Sequence, residues 1–270
     1  MTGCRGGPVF LAGLLVLAAR VHGEAPALPS ASDIVERMVA ESRVAAGRQR
    51  SSGMAYTRRT VIEELDAHAA VRDRKTREHA VTILGGRTRT VLVRLDGKAP
   101  SSVERGADRE REAEHRRNAS NRRGRKGEPD FLDESLLRRF DYELAGEDSV
   151  AGRRVYVLRF EPKPGDADAG EIADRLLGRL HGRLWVDADE FELVRVESHL
   201  KSPLTILGGL AASLTRIDLV VERARLEPGL WINRRLSSYA EGRKALSNLR
   251  IRMEIEQDGF RAVPLMPAVP

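Results

Sequence analysis

Apolar and polar residues alternate over ten consecutive positions near the C-terminal end of the sequence. In NLRIRMEIEQ, residues 248–257, Leu249, Ile251, Met253 and Ile255 are apolar and every residue between them is polar. A period of two places the apolar side chains on one face of a β-strand and the charged side chains on the other. The stretch therefore predicts a strand of a sheet with one covered face and one solvated face.

Comparable segments recur along most of the chain, and turn residues separate them. The predicted turns are DSVAG (148–152), DADE (187–190), EPG (227–229) and AEGRK (240–244). The predicted strands are Tyr56–Leu65, Lys75–Leu84, Thr88–Leu95, Asp141–Gly146, Arg153–Glu161, Arg179–Asp187, Phe191–Lys201, Leu214–Leu226, Leu230–Tyr239 and Leu246–Gln257. No parallel strand–helix–strand rhythm appears, and about ten strands joined by hairpins are expected to curl rather than lie flat.

A few segments predict helices. Asp33–Gly47 has one apolar stripe, with Ser30 or Ser32 placed to cap it, and Asp133–Phe140 is a second, shorter candidate. Residues 101–127 are highly charged and nearly free of large apolar side chains, which indicates a solvated helix that frays into a loop. We therefore expect an α+β fold: a large curved antiparallel sheet, an unclosed β-barrel, with a few helices covering the concave face.

Residues 1–23 have the composition of a secretory signal peptide. Arg5 precedes the apolar run Val9–Ala19, and Gly23 is a small residue suited to cleavage. The run is about half the ~20 residues that a membrane-spanning helix needs. We expect export to the periplasm, cleavage near Gly23 and a mature chain without the single cysteine, Cys4. Residues 24–263 are then expected to form one domain with the insertion 101–127, followed by a Pro-rich tail, 264–270.

The basic character of the chain is local. The sequence has 46 Lys and Arg residues against 40 Asp and Glu residues, but two of the basic residues lie in the predicted signal peptide. Another six lie in RRNASNRRGRK, residues 116–126, which contains no acidic residue. We predict that this segment contacts an anionic surface such as a membrane; the alternative is a solvated loop. The predicted contacts are Arg116, Arg117, Arg122, Arg123, Arg125 and Lys126.

Four segments carry a resemblance of pattern and layout to a known superfamily. They are YTRRTVIEELDAHAAVRDR (56–74), LGGRTRTVLVRLDGKAPS (84–101), RRFDYELAGEDSVAGRRVYVLRFEPKPG (138–165) and GRLWVDADEFELVRVESHL (182–200). Together they resemble the lipoprotein-carrier (LolA/LolB-like) superfamily, and more closely a secreted bacterial branch labelled outer-membrane lipoprotein-sorting-like. The resemblance implies a helix-plugged half-barrel. The expected function is non-catalytic binding of an apolar ligand, such as the acyl chain of a lipid or lipoprotein.

The predicted ligand contacts come from three parts of the sheet. The hairpin 182–200 has apolar residues on both faces, so it either lines a cavity or packs as ordinary core. The uncharged segment SPLTILGGLAASL, residues 202–214, is predicted to form an apolar flap or a loop that packs back on its own sheet. The predicted ligand-lining residues are Trp185, Leu193, Ile206, Leu207, Leu210 and Trp231.

The sequence shows no pattern typical of a catalytic centre. Its six histidines form no HExxH or other metal spacing, and neither a GxSxG motif nor a phosphate-binding loop is present. We therefore predict no enzyme activity, no metal and no cofactor. The basic segment lacks interleaved aromatic residues, so no nucleic-acid partner is expected. The alternatives are an envelope protein-binding or sensing scaffold without lipid and, third, a secreted hydrolase; we favour a monomer.

Overall fold

A computed structural model of the chain describes residues 28–51, 53–121, 134–165, 172–206, 212–244 and 247–264. The helices are α1 (Ala31–Ser51), α2 (Ser102–Asn121), α3 (Glu134–Leu137) and α4 (Ile172–Leu177). The first strands are β1 (Met54–Leu65), β2 (Val71–Leu84), β3 (Arg87–Leu95), β4 (Phe140–Val150), β5 (Arg153–Pro162) and β6 (Leu180–Asp187). The remaining strands are β7 (Leu193–Leu200), β8 (Leu204–Ile206), β9 (Ala212–Glu227), β10 (Leu230–Lys244) and β11 (Ser247–Ala262). The predicted signal peptide lies outside the described residues.

All eleven described strands belong to one antiparallel sheet, in the order β3-β2-β1-β11-β10-β9-β7-β6-β5-β4, with β8 paired to the start of β9. The predicted fold class is confirmed: the sheet is large, curved and unclosed, and helices cover its concave face. Hairpins connect most neighbours, but β1 pairs with β11, so the two ends of the described chain meet in mid-sheet. The pairing order therefore divides the sheet into two meanders joined by β11.

Helix α1 begins at a reciprocal cap and buries one stripe against the concave face. The backbone N–H of Asp33 donates to Ser30 Oγ (3.1 Å), and the Ser30 hydroxyl donates to the Asp33 carboxylate (2.8 Å), so the predicted cap at Ser30 is confirmed. Ile34 and Met38, four residues apart on one side of the helix, are fully buried. They join the concave core, whose sheet members include Leu158, Leu184, Val186, Val196 and Val221.

A second apolar cluster lies on the opposite, convex face. Trp185 alternates with Leu184 and Val186 along β6, so its side chain points away from α1. It packs with Val155, Val194 and Trp231. Both indoles are anchored by carboxylates: Trp231 Nε1 donates to Glu190 (2.7 Å) and Trp185 Nε1 to Asp148 (3.4 Å).

The turn after β6 connects three hairpins through Asp187 and Glu190. Its side chain has no exposed surface and accepts hydrogen bonds from Arg153 Nε (2.5 Å) and Nη2 (2.8 Å) on β5. It also accepts from the backbone N–H groups of Asp189 (3.1 Å) and Glu190 (2.8 Å). Glu190 in turn pairs with Arg225 of β9 (2.5 Å).

Several predicted boundaries were wrong. The AEGRK stretch, predicted as a turn, is the end of β10, because β9 and β11 pair with it from both sides. Gly242 permits this pairing, since a Cβ there would lie 2.0 Å from the backbone oxygen of Ser213. Phe191, predicted to begin a strand, has φ 51° and ends the tight turn instead. The predicted strand Asp141–Gly146 continues to Val150, where the two-residue turn Ala151-Gly152 begins.

Candidate functional site

Cover over the concave face decreases from one side of the sheet to the other. A single row of cross-strand partners runs Leu158, Leu184, Val196, Val221, Leu236, Ile255, Thr60 and Arg77. Under α1 the row is closed, with Leu158 0% and Val221 1% exposed. From Leu236 and Ile255 onward the side chains are only half-buried. The apolar surface of the sheet therefore continues beyond the helix that covers it.

The next row repeats this pattern. Leu219, Ser238, Met253 and Ile62 are consecutive partners across β9, β10, β11 and β1, and all four are half-buried. We call the strip between α1 and α2 the trough. Its floor consists of Ile62, Leu219, Leu236, Ile251, Met253 and Ile255.

Helix α2 forms the far wall of the trough, and its contact with the sheet is polar. Asp108 and Glu112, one helical turn apart, point to the sheet. Asp108 Oδ2 lies 3.0 Å from His79 Nε2 of β2, and Glu112 accepts a 2.7 Å hydrogen bond from Arg58 of β1. Leu92 of β3 is a buried apolar residue beneath this region. The helix therefore docks largely through ion pairs and hydrogen bonds.

The centre of this polar contact is closed to solvent. The side chains of His79 and Asp108 are 3% and 6% exposed, and His79 Nδ1 has no hydrogen-bond partner among the described residues. Burial lowers the pKa of His79, and the nearby Arg58 guanidinium lowers it further, against the opposing effect of Asp108. The buried imidazole is therefore neutral at pH 7.

The structure divides the predicted ligand-lining residues between two faces. Trp185 and Trp231 lie together in the convex cluster, while Leu193 lies in the concave core at 2% exposure. The backbone of Ile206 ends β8, whereas Leu207 and Leu210 lie outside the described residues. The role of these six residues as ligand contacts stays a prediction.

The predicted anionic-surface contacts fall mostly outside the described residues. Arg116 and Arg117 belong to the last turns of α2, and the Arg117 side chain is exposed. Arg122, Arg123, Arg125 and Lys126 are not described. The predicted contact with an anionic surface stays a prediction.

Two cavities on the convex face differ in character from the trough. One, of about 470 Å³, is lined mainly by charged residues of β7, β9, β10 and β11, including Arg195 and Glu222, whose side chains pair at 3.4 Å. The other, of about 750 Å³, includes His181 and His199 of β6 and β7, and His199 Nδ1 lies 2.7 Å from Asp218. Paired charges occur at both cavities, whereas the floor of the trough is apolar.

The described residues contain no group of three or more His, Cys, Asp or Glu side chains placed to hold a metal ion. Within the same residues, no helix is both long enough and apolar enough to cross a membrane.

The trough floor was missed as a site, although one signal for it was present. The alternation of Ile251, Met253 and Ile255 predicts an apolar face, and that face is the floor. The alternation does not predict where α1 stops covering the sheet. His79 had no local signal, because its environment depends on a helix more than 20 residues away in sequence.

Comparisons with known proteins place the chain beside several solved structures. No family model and no curated protein match the sequence. The chain is similar to a DUF1329 family protein from Desulfovibrio piger, at 13% identity and a TM-score of 0.35, over 87% of this chain and 94% of that one. It is similar to an outer membrane lipoprotein-sorting protein domain from Vibrio parahaemolyticus, at 13% identity and a TM-score of 0.32, over 87% and 95% of the two chains.

The chain is also similar to a LolA superfamily protein from Nitrosomonas europaea, at 13% identity and a TM-score of 0.30, over 88% and 96% of the two chains. The superfamily whose resemblance was noted in the sequence is thus among the matched structures. At these identities and TM-scores, the matched proteins define no ligand for this chain.

Proposed function

We propose that the chain is an exported, non-catalytic binding protein that holds one apolar ligand, such as the acyl chain of a lipid or lipoprotein, in the trough. The observation that supports this most directly is the loss of cover along one cross-strand row, from the buried Val221 to the half-buried Leu236 and Ile255. Apolar floor residues that stay partly in water would gain about 25 cal/mol per Å² on being covered.

The shape of the trough fits an extended chain better than a compact ligand. From the α1 side to the α2 side, its floor crosses β9, β10, β11 and β1. Adjacent strands lie ~4.8 Å apart, so the floor spans three strand spacings in that direction. One wall is apolar, through α1, and the other is polar, through Asp108 and Glu112 of α2. An amphiphile would therefore lie with its tail toward α1 and its polar end toward α2.

The test measures uptake of a pyrene-labelled fatty acid by the mature chain. The variant Leu236→Asp/Ile255→Asp places two carboxylates on the floor, at two half-buried positions. We expect its affinity for the probe to fall at least about tenfold, since each buried CH₂ contributes ~0.8 kcal/mol and a buried carboxylate costs more.

The matched control is Val71→Asp/Leu226→Asp, two apolar residues that are 50% and 42% exposed and lie outside the trough. Its affinity should equal that of the unmodified chain. No uptake by the unmodified chain, or equal loss in both double variants with unchanged circular dichroism, would contradict binding in the trough.

A further inference from the structure

The two free edges of the sheet have opposite charge. Among the described strands, β3 and β4 are the only members of the main path that pair on one side alone. β3 contains three arginines and no acidic residue, whereas β4 contains four acidic residues and no basic one. An unpaired strand edge is a template for pairing with another strand.

The charges on both edges lie on the convex face at the same spacing. Arg89 is opposite Thr82, between the concave residues Val81 and Ile83, so Arg87 and Arg89 point to the convex side. Glu143 is opposite Arg159, between the concave residues Leu158 and Phe160, so Asp141 and Glu143 point to the same side. Each edge thus presents two like charges two residues apart.

On each edge strand, every second residue has a backbone N–H and C=O that point away from the sheet and are free to pair. Gly85-Gly86 and Ala151-Gly152 are two-residue turns with positive φ at both positions, and the residues flanking such a turn form a hydrogen-bonded pair. By alternation, the free N–H and C=O groups of β3 belong to Thr88, Thr90 and Leu92. The bulge near Gly146 shifts the phase on β4, so its free groups belong to Tyr142 and Leu144.

We propose that β3 of one molecule pairs antiparallel with β4 of a second copy. When Thr88 lies opposite Tyr142, the free backbone groups of both edges meet. The same register sets Arg87 opposite Glu143 and Arg89 opposite Asp141, as non-hydrogen-bonded pairs whose side chains are close. Opposite charges at such positions stabilise an antiparallel pair.

The charges also disfavour the pairing of two identical edges. Pairing of β3 with β3 sets arginines against arginines, and pairing of β4 with β4 sets carboxylates against carboxylates. Arg87 and Arg89 are exposed and have no ion-pair partner among the described residues, so they are available. β3 also exposes Val91 and Val93, at 39% and 41%, on the edge that the partner strand would cover.

Because the two edges differ, the contact is head-to-tail, and each molecule of a dimer keeps one edge free for a further copy. The expected species are concentration-dependent dimers and longer chains, in contrast to the monomer favoured from the sequence. The contact lies on the rim of the sheet and leaves the trough open.

The test compares charge-reversed variants by sedimentation velocity at low and high salt. R87E/R89E makes both edges acidic, and D141R/E143R makes both edges basic. Each variant alone should be monomeric under conditions in which the unmodified chain associates. An equimolar mixture should associate again, because each edge then meets an opposite charge. High salt should weaken every association.

The control is R243E/R261E, which removes the same charge as R87E/R89E at exposed positions on the interior strands β10 and β11. It should associate like the unmodified chain. A monomeric unmodified chain, a control as defective as the edge variants, or a mixture that stays monomeric would each overturn the proposal.

Discussion

Asp187 stabilises the fold more than its place at a turn indicates. Its carboxylate is fully buried, and it accepts four hydrogen bonds, two of them from Arg153. Charged groups are buried at a cost unless they are paired and hydrogen-bonded. Asp187 meets both conditions, so it fixes the β6–β7 turn against the neighbouring β4–β5 hairpin.

We expect Asp187→Asn to lower the free energy of unfolding by about 3 kcal/mol, because it leaves the Arg153 guanidinium without its buried counter-charge. Urea denaturation followed by circular dichroism measures the change. Asp189→Asn is the control in the same turn: its side chain is 70% exposed and 3.5 Å from Arg153, so the expected loss is below about 1 kcal/mol. Equal losses in the two variants would contradict this role for Asp187.

The same residue gives the fold an acid-sensitive element. Burial alone raises the pKa of Asp187, but the Arg153 hydrogen bonds and two backbone N–H groups outweigh it, so the pKa lies below its ordinary value. A lowered carboxyl pKa stabilises the fold above the ordinary value of ~3.9 and loses this effect as the pH falls further.

Helix α2 docks on the sheet through polar contacts, whereas α1 docks through apolar ones. α1 inserts Ile34 and Met38 into a closed core, whereas α2 meets the sheet through Asp108 and Glu112. Its N-terminus is well capped, since Ser101 Oγ accepts from the Glu104 N–H at 3.2 Å and the Glu104 carboxylate accepts from the Ser101 N–H at 2.7 Å. The helix is therefore defined locally, while its docking depends on the charge of His79.

We expect α2 to loosen in acid. The pKa of His79 is lowered in the docked state, chiefly by burial and then by Arg58. Protonation therefore favours the undocked state as the pH falls below the ordinary histidine value of ~6.5. Hydrogen exchange of residues 102–121, corrected for the intrinsic pH effect, should be faster at pH 5.5 than at pH 7.

His79→Gln keeps a donor for Asp108 but does not titrate, so its α2 should exchange at the same corrected rate at both pH values. The control His199→Gln removes a half-exposed histidine on the convex face and should keep the acid response. An acid response that persists in His79→Gln would show that another group controls docking.

Local patterns in the sequence predict some elements of this fold much better than others. The alternation in 248–257 identifies β11 and its apolar face, and Ser30 identifies the start of α1, because each signal is local. AEGRK carries the residues of a turn, yet two neighbouring strands hold it extended. The same holds for the candidate site. The alternation predicts the floor residues, whereas the extent of cover by α1 and the burial of His79 depend on tertiary packing.

The continuity of the sheet determines how the whole chain unfolds. β11 pairs with β1 on one side and β10 on the other, so each meander shares a long strand interface with it. Without β11, one edge of each meander lacks its partner strand. The unfolding of one meander is therefore coupled to that of the other. The single domain expected over residues 24–263 stays a prediction.

We expect one thermal transition, with the same midpoint by far-ultraviolet circular dichroism and by the fluorescence of Trp185 and Trp231. Val81→Ala tests the coupling, because it leaves a cavity at a buried position on β2, in the β1–β3 meander, while both indoles lie in the β4–β10 meander. Both midpoints should fall together, by roughly 2–4 °C per kcal/mol lost. A fluorescence midpoint that stays fixed while the circular dichroism midpoint falls would indicate two independent units.

The pairing of β1 with β11 also sets a condition on biosynthesis. The first three strands form one meander and β4 to β10 form another, but the strand that joins them is made after all the others. A nascent chain that ends before residue 247 consists of two sheets with no shared ladder, and β1 and β10 both expose an unpaired edge. Folding is therefore completed only after the ribosome has passed residue 262.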